Sequence, residues 1–165
     1  MSKDYILIPR DRLEILKKHK EWIERLEKLG NVKIEINEEI VIESKDPLSI
    51  IRAKNVLRAF GRRFDFETCL NLLDDEYRLE IINVSEYSKS KNRQRELKGR
   101  VIGSKGKMKK AIEYFTNTKI AVYGKSVSII GRWEDVEIAR KAIEMILNGA
   151  MHQTVYKFLE EHRTM

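Results

Sequence analysis

The strongest constraint on how this chain folds is that it repeats itself. Within its 165 residues, a shift of 86 positions places apolar side chains of one half on apolar side chains of the other. Ile15 and Leu16 fall on Val101 and Ile102, Leu26 on Ile112, Leu29 on Phe115, Ile34 on Ile120 and Ile36 on Val122. Further on, Ile50 falls on Val136, Ala53 on Ala139, Leu57 on Ile143 and Phe60 on Ile146. A one-residue slip brings Ile40-Val41-Ile42 onto Val127-Ser128-Ile129 and cancels in the next loop. Few residues are identical; what recurs is the spacing of positions that seek a core. A sustained offset of this kind predicts two copies of one supersecondary unit.

Each half reads as strand, helix, loop, helix, strand, strand, helix. In the first, Tyr5-Ile6-Leu7-Ile8 has β character and stops at Pro9. Residues 10–29 carry Leu13, Leu16, Ile23, Leu26 and Leu29 at helical spacing, with Gly30-Asn31 as the stop. Val32 to Ile36 alternates, Asn37-Glu38-Glu39 turns, and Ile40-Val41-Ile42 returns as a hairpin. Asp46-Pro47 supplies an N-cap and a first helical residue, opening a helix that buries Ile50, Ile51, Ala53, Val56, Leu57 and Phe60. Residues 65–73 predict a short helix ending in Asp74-Asp75, two acids read as a solvated turn or cap. In the second half, residues 78–82 form a strand, and a helix runs into Val101-Ile102. A helix over 107–116 and a hairpin of 119–123 with 126–130 follow. The last long helix starts at Trp133-Glu134-Asp135, its acids in the first turn where the helix dipole favours them, and Gly149 ends it. Thr154 to Glu161 adds a tail helix. The fold class is therefore α+β, with units at 1–74 and 75–165.

Charge distinguishes the halves that the apolar pattern equates. The net charge is +7, yet residues 86–125 hold twelve Lys and Arg against three Glu, a net of +9. The rest of the chain has 21 basic and 23 acidic side chains. A near-neutral body with one basic segment is the footprint of a polyanion binder. Inside that segment runs Gly99-Arg100-Val101-Ile102-Gly103-Ser104-Lys105-Gly106-Lys107-Met108-Lys109-Lys110. Glycines at i and i+3 permit a tight turn and a close approach to the backbone. The turn precedes a helix, whose N-terminal amides favour a phosphate. Arg100, Lys105, Lys107, Lys109 and Lys110 add full charges. Such a clamp grips a nucleic-acid backbone without reading a base. Tyr114, Phe115 and Tyr123 are candidate stacking residues, Phe115 fitting a core position better. Arg93, Arg95 and Lys98 fall in an insert that the first half lacks.

The loop, the apolar pair before it, and the helix, hairpin and helix after it together resemble a KH domain of type I. In that family the Gly-x-x-Gly loop clamps about four nucleotides of single-stranded nucleic acid. The resemblance implies two tandem type I KH units (βααββα), each a three-stranded sheet packed by three helices. It also implies a base-binding groove lined by Val101, Ile102, Ile112, Ile120 and Val122 and rimmed by Lys119 and Lys125. The first half has Lys17-Lys18-His19-Lys20 at the loop position. Without glycine, that segment predicts one nearly continuous helix from Arg10 to Leu29. The first unit is thus expected to be a degenerate KH unit, serving as scaffold or protein-binding surface, with at most weak phosphate contact through Lys17, Lys18 and Lys20.

The linker from Phe64-Asp65-Phe66 to Leu72-Leu73-Asp74-Asp75-Glu76-Tyr77 and the tail Asn148-Gly149-Ala150 with Val155-Tyr156-Lys157-Phe158-Leu159 narrow the resemblance. They are similar to those of the partner-of-Nob family, the KH-type assembly factors of the small ribosomal subunit in archaea and eukaryotes, and the small size suits an archaeal member. This resemblance implies binding of small-subunit ribosomal RNA near its 3′ end and contact with a Nob-type endonuclease. A general RNA chaperone or messenger-RNA regulator, and a protein-interaction scaffold, remain as alternative readings.

Enzymatic chemistry has little support in the sequence. No Cys/His pair or serine triad order is present; His152 and His162 lie far from His19, and the three have no metal-ligand spacing. No cofactor and no small-molecule substrate are expected. The single Cys69 excludes an intrachain disulfide and reads as a buried thiol in a reducing compartment. With no signal peptide and no run of about 20 apolar residues, a cytoplasmic location without membrane attachment is expected.

Overall fold

In the computed structural model, which describes residues 1–163, the alternating segments pair as strands and the helically spaced segments cover one face of them. The chain separates into two units, Met1–Tyr77 and a second beginning at Arg78. The first contains β1 (Ser2–Ile6), α1 (Arg10–Lys18), α2 (Lys20–Gly30), β2 (Lys33–Ile36), β3 (Ile40–Ser44), α3 (Pro47–Gly61) and α4 (Phe66–Leu70). The second contains β4 (Tyr77–Asn83), whose first residue closes the preceding unit, α5 (Lys91–Ile102), α6 (Lys107–Thr116), β5 (Lys119–Tyr123), β6 (Ser126–Arg132), α7 (Trp133–Leu147) and α8 (His152–Glu161). The sheets run in the orders β1-β3-β2 and β4-β6-β5. This is the expected βααββα succession in both units.

The one-residue slip of the repeat is located in the hairpins. Ile34 pairs with Ile42 and Ile36 with Ile40, whereas Ile120 pairs with Ile129 and Val122 with Val127. The second hairpin carries an additional Tyr123–Ser126 pair before its Gly124-Lys125 turn. α3 and α7 then regain the offset of 86, each spanning fifteen residues. The offset also runs past them. Phe66 at the start of α4 matches His152 at the start of α8, and Cys69 matches Val155, both fully buried. The linker helix and the tail helix are therefore equivalent parts, a fourth helix closing each unit. Burial among apolar neighbours pushes the Cys69 thiol far above its ordinary value, so it stays protonated.

The corner joining helix to sheet is built identically twice. Asn31 and Asn117 end α2 and α6 in the left-handed region, at φ 54° and 53°. Carboxylate oxygens of Glu27 and Glu113 then accept the amides of Ile34 and Ile120 at 2.9 and 2.8 Å. A helix side chain thus satisfies a strand N–H that the ladder leaves open. The helix starts follow the residues expected of them. Asp46 accepts the Leu48 amide at 3.0 Å and Asp65 the Thr68 amide at 2.8 Å. Both oxygens of Asp75 accept from Arg52 at 2.8 Å, and that pairing holds the carboxyl below its usual range.

Four expectations are corrected. The first strand is Ser2–Ile6 rather than 5–8, because β3 offers partners only from Ile40 to Ser44; Leu7 is 75% exposed. Residues 10–29 do not form one helix. The chain breaks at His19 (φ −121°, ψ 68°), so that α1 and α2 can turn against each other. Leu29 lies outside, because the buried line of α2 runs through Leu26 and Gly30. Ile51 lies outside because the line Ile50, Ala53, Leu57, Phe60 already faces the sheet, and its neighbour points about 100° away.

In the second unit a single core joins Val84 to Leu97 and Val101 of α5, Met108 and Ile112 of α6, Val127 and Ile129 of β6, Ala139, Ile143 and Ile146 of α7, and Val155 and Leu159 of α8. Truncating the equivalent fully buried Leu57 and Ile143 to Ala should each destabilise the chain by about 2–5 kcal/mol, measured as urea midpoints. Midpoint changes well under 1 kcal/mol at either site would contradict the paired cores.

Candidate nucleic-acid interface

Gly103 to Gly106 turns the chain between α5 and α6. Gly103 donates its amide to Gly99 O at 2.8 Å, closing α5. It takes φ 76°, ψ 172°, a region that side chains essentially never enter. A Cβ there would lie 2.8 Å from Met108 N and 2.7 Å from Met108 Cβ. The turn is thus pressed against the backbone of the next helix. Gly106 is left-handed at φ 76°, ψ 12°, with only Lys110 Cε within reach of an added Cβ, at 3.8 Å. Between them Ser104 and Lys105 are exposed, and Lys105 is itself left-handed at φ 55°. The loop holds its own shape, Gly106 N donating to Gly103 O at 3.1 Å.

Behind this loop, α6 begins with no side-chain cap and no acid in its first turn. α3, α4 and α5 begin at Asp46, Asp65 and Ser90, each accepting a backbone amide, whereas α1, α2, α7 and α8, like α6, begin without a side-chain cap. The first amides of α6 and its positive dipole end therefore sit beside exposed Lys105, Lys107 and Lys110, with no carboxylate in that helix's first turn. That arrangement suits an anion with several acceptor oxygens, such as a phosphodiester.

The other candidate residues divide by what they already touch. Arg100 is half-buried; its guanidinium donates to Ala150 O at 2.9 Å and its carbonyl lies 2.8 Å from His152 Nε2. It ties α5 to the start of α8, a use not expected from its place in the motif. Lys109 lies 3.7 Å from Glu113, so part of its charge is offset. Lys98 donates to Gly124 O at 2.7 Å, bracing the turn beside Lys125. Lys119 and Lys125 are exposed at the ends of β5 and its turn. Val101, Ile112 and Ile120 lie in the core and offer no surface to a base. This corrects the expected groove lining: Ile102, 36% exposed, and half-buried Val122 are the members that reach the surface. The reason is helix spacing, since Val101 follows Leu97 on the buried line of α5 and Ile102 does not.

At the matching place in the first unit the chemistry is different. His19 stacks on Trp22 with centroids 3.8 Å apart, and Trp22 stacks on Phe66 at 5.2 Å. Glu21 sits in the first turn of α2, 2.9 Å from His19 Nδ1. Lys17, Lys18 and Lys20 are present there, but an aromatic stack and the acid Glu21 stand at the helix start where the second unit has its glycine turn. The residues that sequence reading passed over are Glu113 and Asn117. Both are identities with Glu27 and Asn31 at the offset of 86, a signal available once polar positions are compared as well as apolar ones.

A βααββα unit whose two leading helices meet at a Gly-x-x-Gly turn is a type I KH domain, a fold that clamps single-stranded nucleic acid. Residues 78–164 match the partner-of-Nob model described as a eukaryotic-type KH domain, type I. A KH domain-containing protein of Methanocaldococcus jannaschii is 42% identical over 98% of this chain and 74% of its own length. Dim2p of Pyrococcus horikoshii superposes with a TM-score of 0.86 at 35% identity, covering 98% of this chain and 99% of that one. A chain of the a/eIF2alpha-aDim2p-rRNA complex from the same organism gives 0.85 at 35% identity, covering 97% and 93%. A protein of unknown function from Aeropyrum pernix gives 0.89 at 28% identity, covering 97% and 89%. The chain belongs to the partner-of-Nob family of tandem KH proteins.

The two glycines should respond unequally to alanine. Gly106→Ala meets only an ordinary contact with Lys110 Cε and should cost about 1–2 kcal/mol of backbone strain. Gly103→Ala adds a backbone clash to its strain and should cost more, by about 1 kcal/mol or above. Denaturant titration of both variants checks the order; equal midpoints would refute the close approach to Met108.

Proposed function

We propose that this protein is a non-catalytic single-stranded RNA-binding factor of ribosome assembly, and that its second unit grips small-subunit ribosomal RNA near the 3′ end. The carrying observation is the start of α6: a glycine turn, a helix terminus without a side-chain cap, and exposed Lys105, Lys107 and Lys110 beside it. On the turn that Gly103 and Gly106 shape, the backbone amides of Ser104 and Lys105 hold one phosphate, and Lys107 and Lys110 neutralise its neighbours. Ile102 and Val122 supply the apolar surface for bases, with Lys119 and Lys125 at its rim. Arg100, Val101, Ile120 and Lys109 act behind that surface, through α8, the core and Glu113.

Support for an RNA ligand comes from the a/eIF2alpha-aDim2p-rRNA complex, one chain of which shares this fold at 35% identity. Support for a Nob-type endonuclease as protein partner comes from the family name. The first unit, with its helix start filled by His19, Trp22 and Glu21, serves as scaffold or protein-binding surface. The reading places the protein in the cytoplasm, where ribosomes are assembled in cells without a nucleus.

Fluorescence anisotropy with a 3′-terminal small-subunit RNA fragment and a scrambled control tests this reading. The double variant Ser104→Asp with Lys105→Asp should abolish binding while leaving the denaturation midpoint near that of the parent. Both side chains are exposed, so unfolding is not the expected route to loss. Unchanged binding would favour a pure protein scaffold, and equal affinity for the scrambled RNA would favour a general chaperone. Independently, the logarithm of affinity should fall with the logarithm of salt concentration by about 0.7 per phosphate contacted. A flat response would remove the electrostatic part of the proposal.

A further inference from the structure

α6 carries an exposed row that begins at the loop and runs on past it. Lys107, Lys110 and Tyr114 are spaced i, i+3 and i+7, on the face opposite buried Met108 and Ile112. Tyr114 is 67% exposed, unusual for a large aromatic ring. It is nevertheless held in place. Its ring meets Phe115 edge to face with centroids 5.4 Å apart. Arg163, just beyond α8, donates to the Tyr114 hydroxyl at 2.9 Å. The Arg163 guanidinium carbon lies 5.4 Å from the Tyr114 centroid and 5.6 Å from that of Phe115. The acid nearest in sequence, Glu113, is turned to the β5 amide and Lys109.

We infer that Tyr114 and Arg163 form a stacking platform for a base of the RNA strand outside the glycine-loop clamp, reached along Lys107 and Lys110. This rests on the RNA-clamp reading above. An ordered, exposed aromatic ring beside a guanidinium offers a base two planar surfaces and its phosphate a cation. Lys107 to Tyr114 covers about 10 Å of helix, so the platform lies beyond the nucleotide held at the loop. The patch adjoins the most basic segment of the chain, and a polyanion is the occupant whose charge complements it. The fourth helix, absent from a minimal βααββα unit, is what brings the second half of the platform to α6.

Two RNAs separate the platform from the clamp: a tetranucleotide that fills the clamp alone, and the same sequence extended by about four nucleotides on each side. Tyr114→Ala should weaken the extended RNA on the order of tenfold and leave the tetranucleotide unchanged. Tyr114→Phe, which keeps the ring, should retain most of the affinity for the extended RNA. A 2-aminopurine placed in the flanks should be quenched by the parent protein and brighter with Tyr114→Ala. No change on the extended RNA, or equal loss on both lengths, overturns the platform while the clamp stands. Tetranucleotide binding that survives the Ser104→Asp, Lys105→Asp double variant overturns the clamp reading, and the platform with it.

Discussion

Gly103 sits against the backbone of Met108, and the helix pair of the second unit depends on that approach. With no Cβ in the way, α5 can end and α6 can begin within four residues. The turn lets Val101 on one side and Met108 and Ile112 on the other enter the same core. It also leaves α6 starting in the open, with nothing of its own to cap it. A structural necessity and a chemical opportunity therefore have one origin: the close packing that requires glycine exposes the helix end that attracts an anion.

The first unit reaches a similar helix pair by another route. It breaks the helix at a single residue, His19, and stacks the break on Trp22, which stacks in turn on Phe66. The corner after the second helix is the same in both units, down to Glu27 and Glu113 accepting a strand amide. The architecture is thus conserved between the copies where it joins helix to sheet and differs where one helix turns into the next. Packing constrains the corner, since an unsatisfied strand amide is costly. The turn admits more than one solution: glycines packed on Met108 in one copy, a His19–Trp22 stack in the other.

Much of this was legible in the residues. The offset of 86 located both units, the hairpin slip and the matching of α3 with α7. Gly103 and Gly106 marked the turn, and Asp46-Pro47 marked the start of α3. The misreadings share a cause. Leu29 and Ile51 are apolar and were expected inside, but a helix has one buried line, and apolar residues beside that line stay out. Val101 and Ile102 form one apolar pair in sequence, yet fall on opposite sides of the surface. Arg100 sits in the basic motif, yet its guanidinium holds the Ala150 carbonyl.

By itself, the sequence determined the duplication, the element order, the place of the glycine turn and the concentration of positive charge around it. These depend on spacing and composition, which are local and can be read residue by residue. Tertiary structure alone decided which apolar residues reach the surface, which cations are already engaged, and that the linker and tail helices are equivalent parts. It also decided that Arg163, far along the chain, meets Tyr114 on α6. Such outcomes depend on which neighbour arrives at each side chain, and packing sets that only once the helices have closed on the sheet.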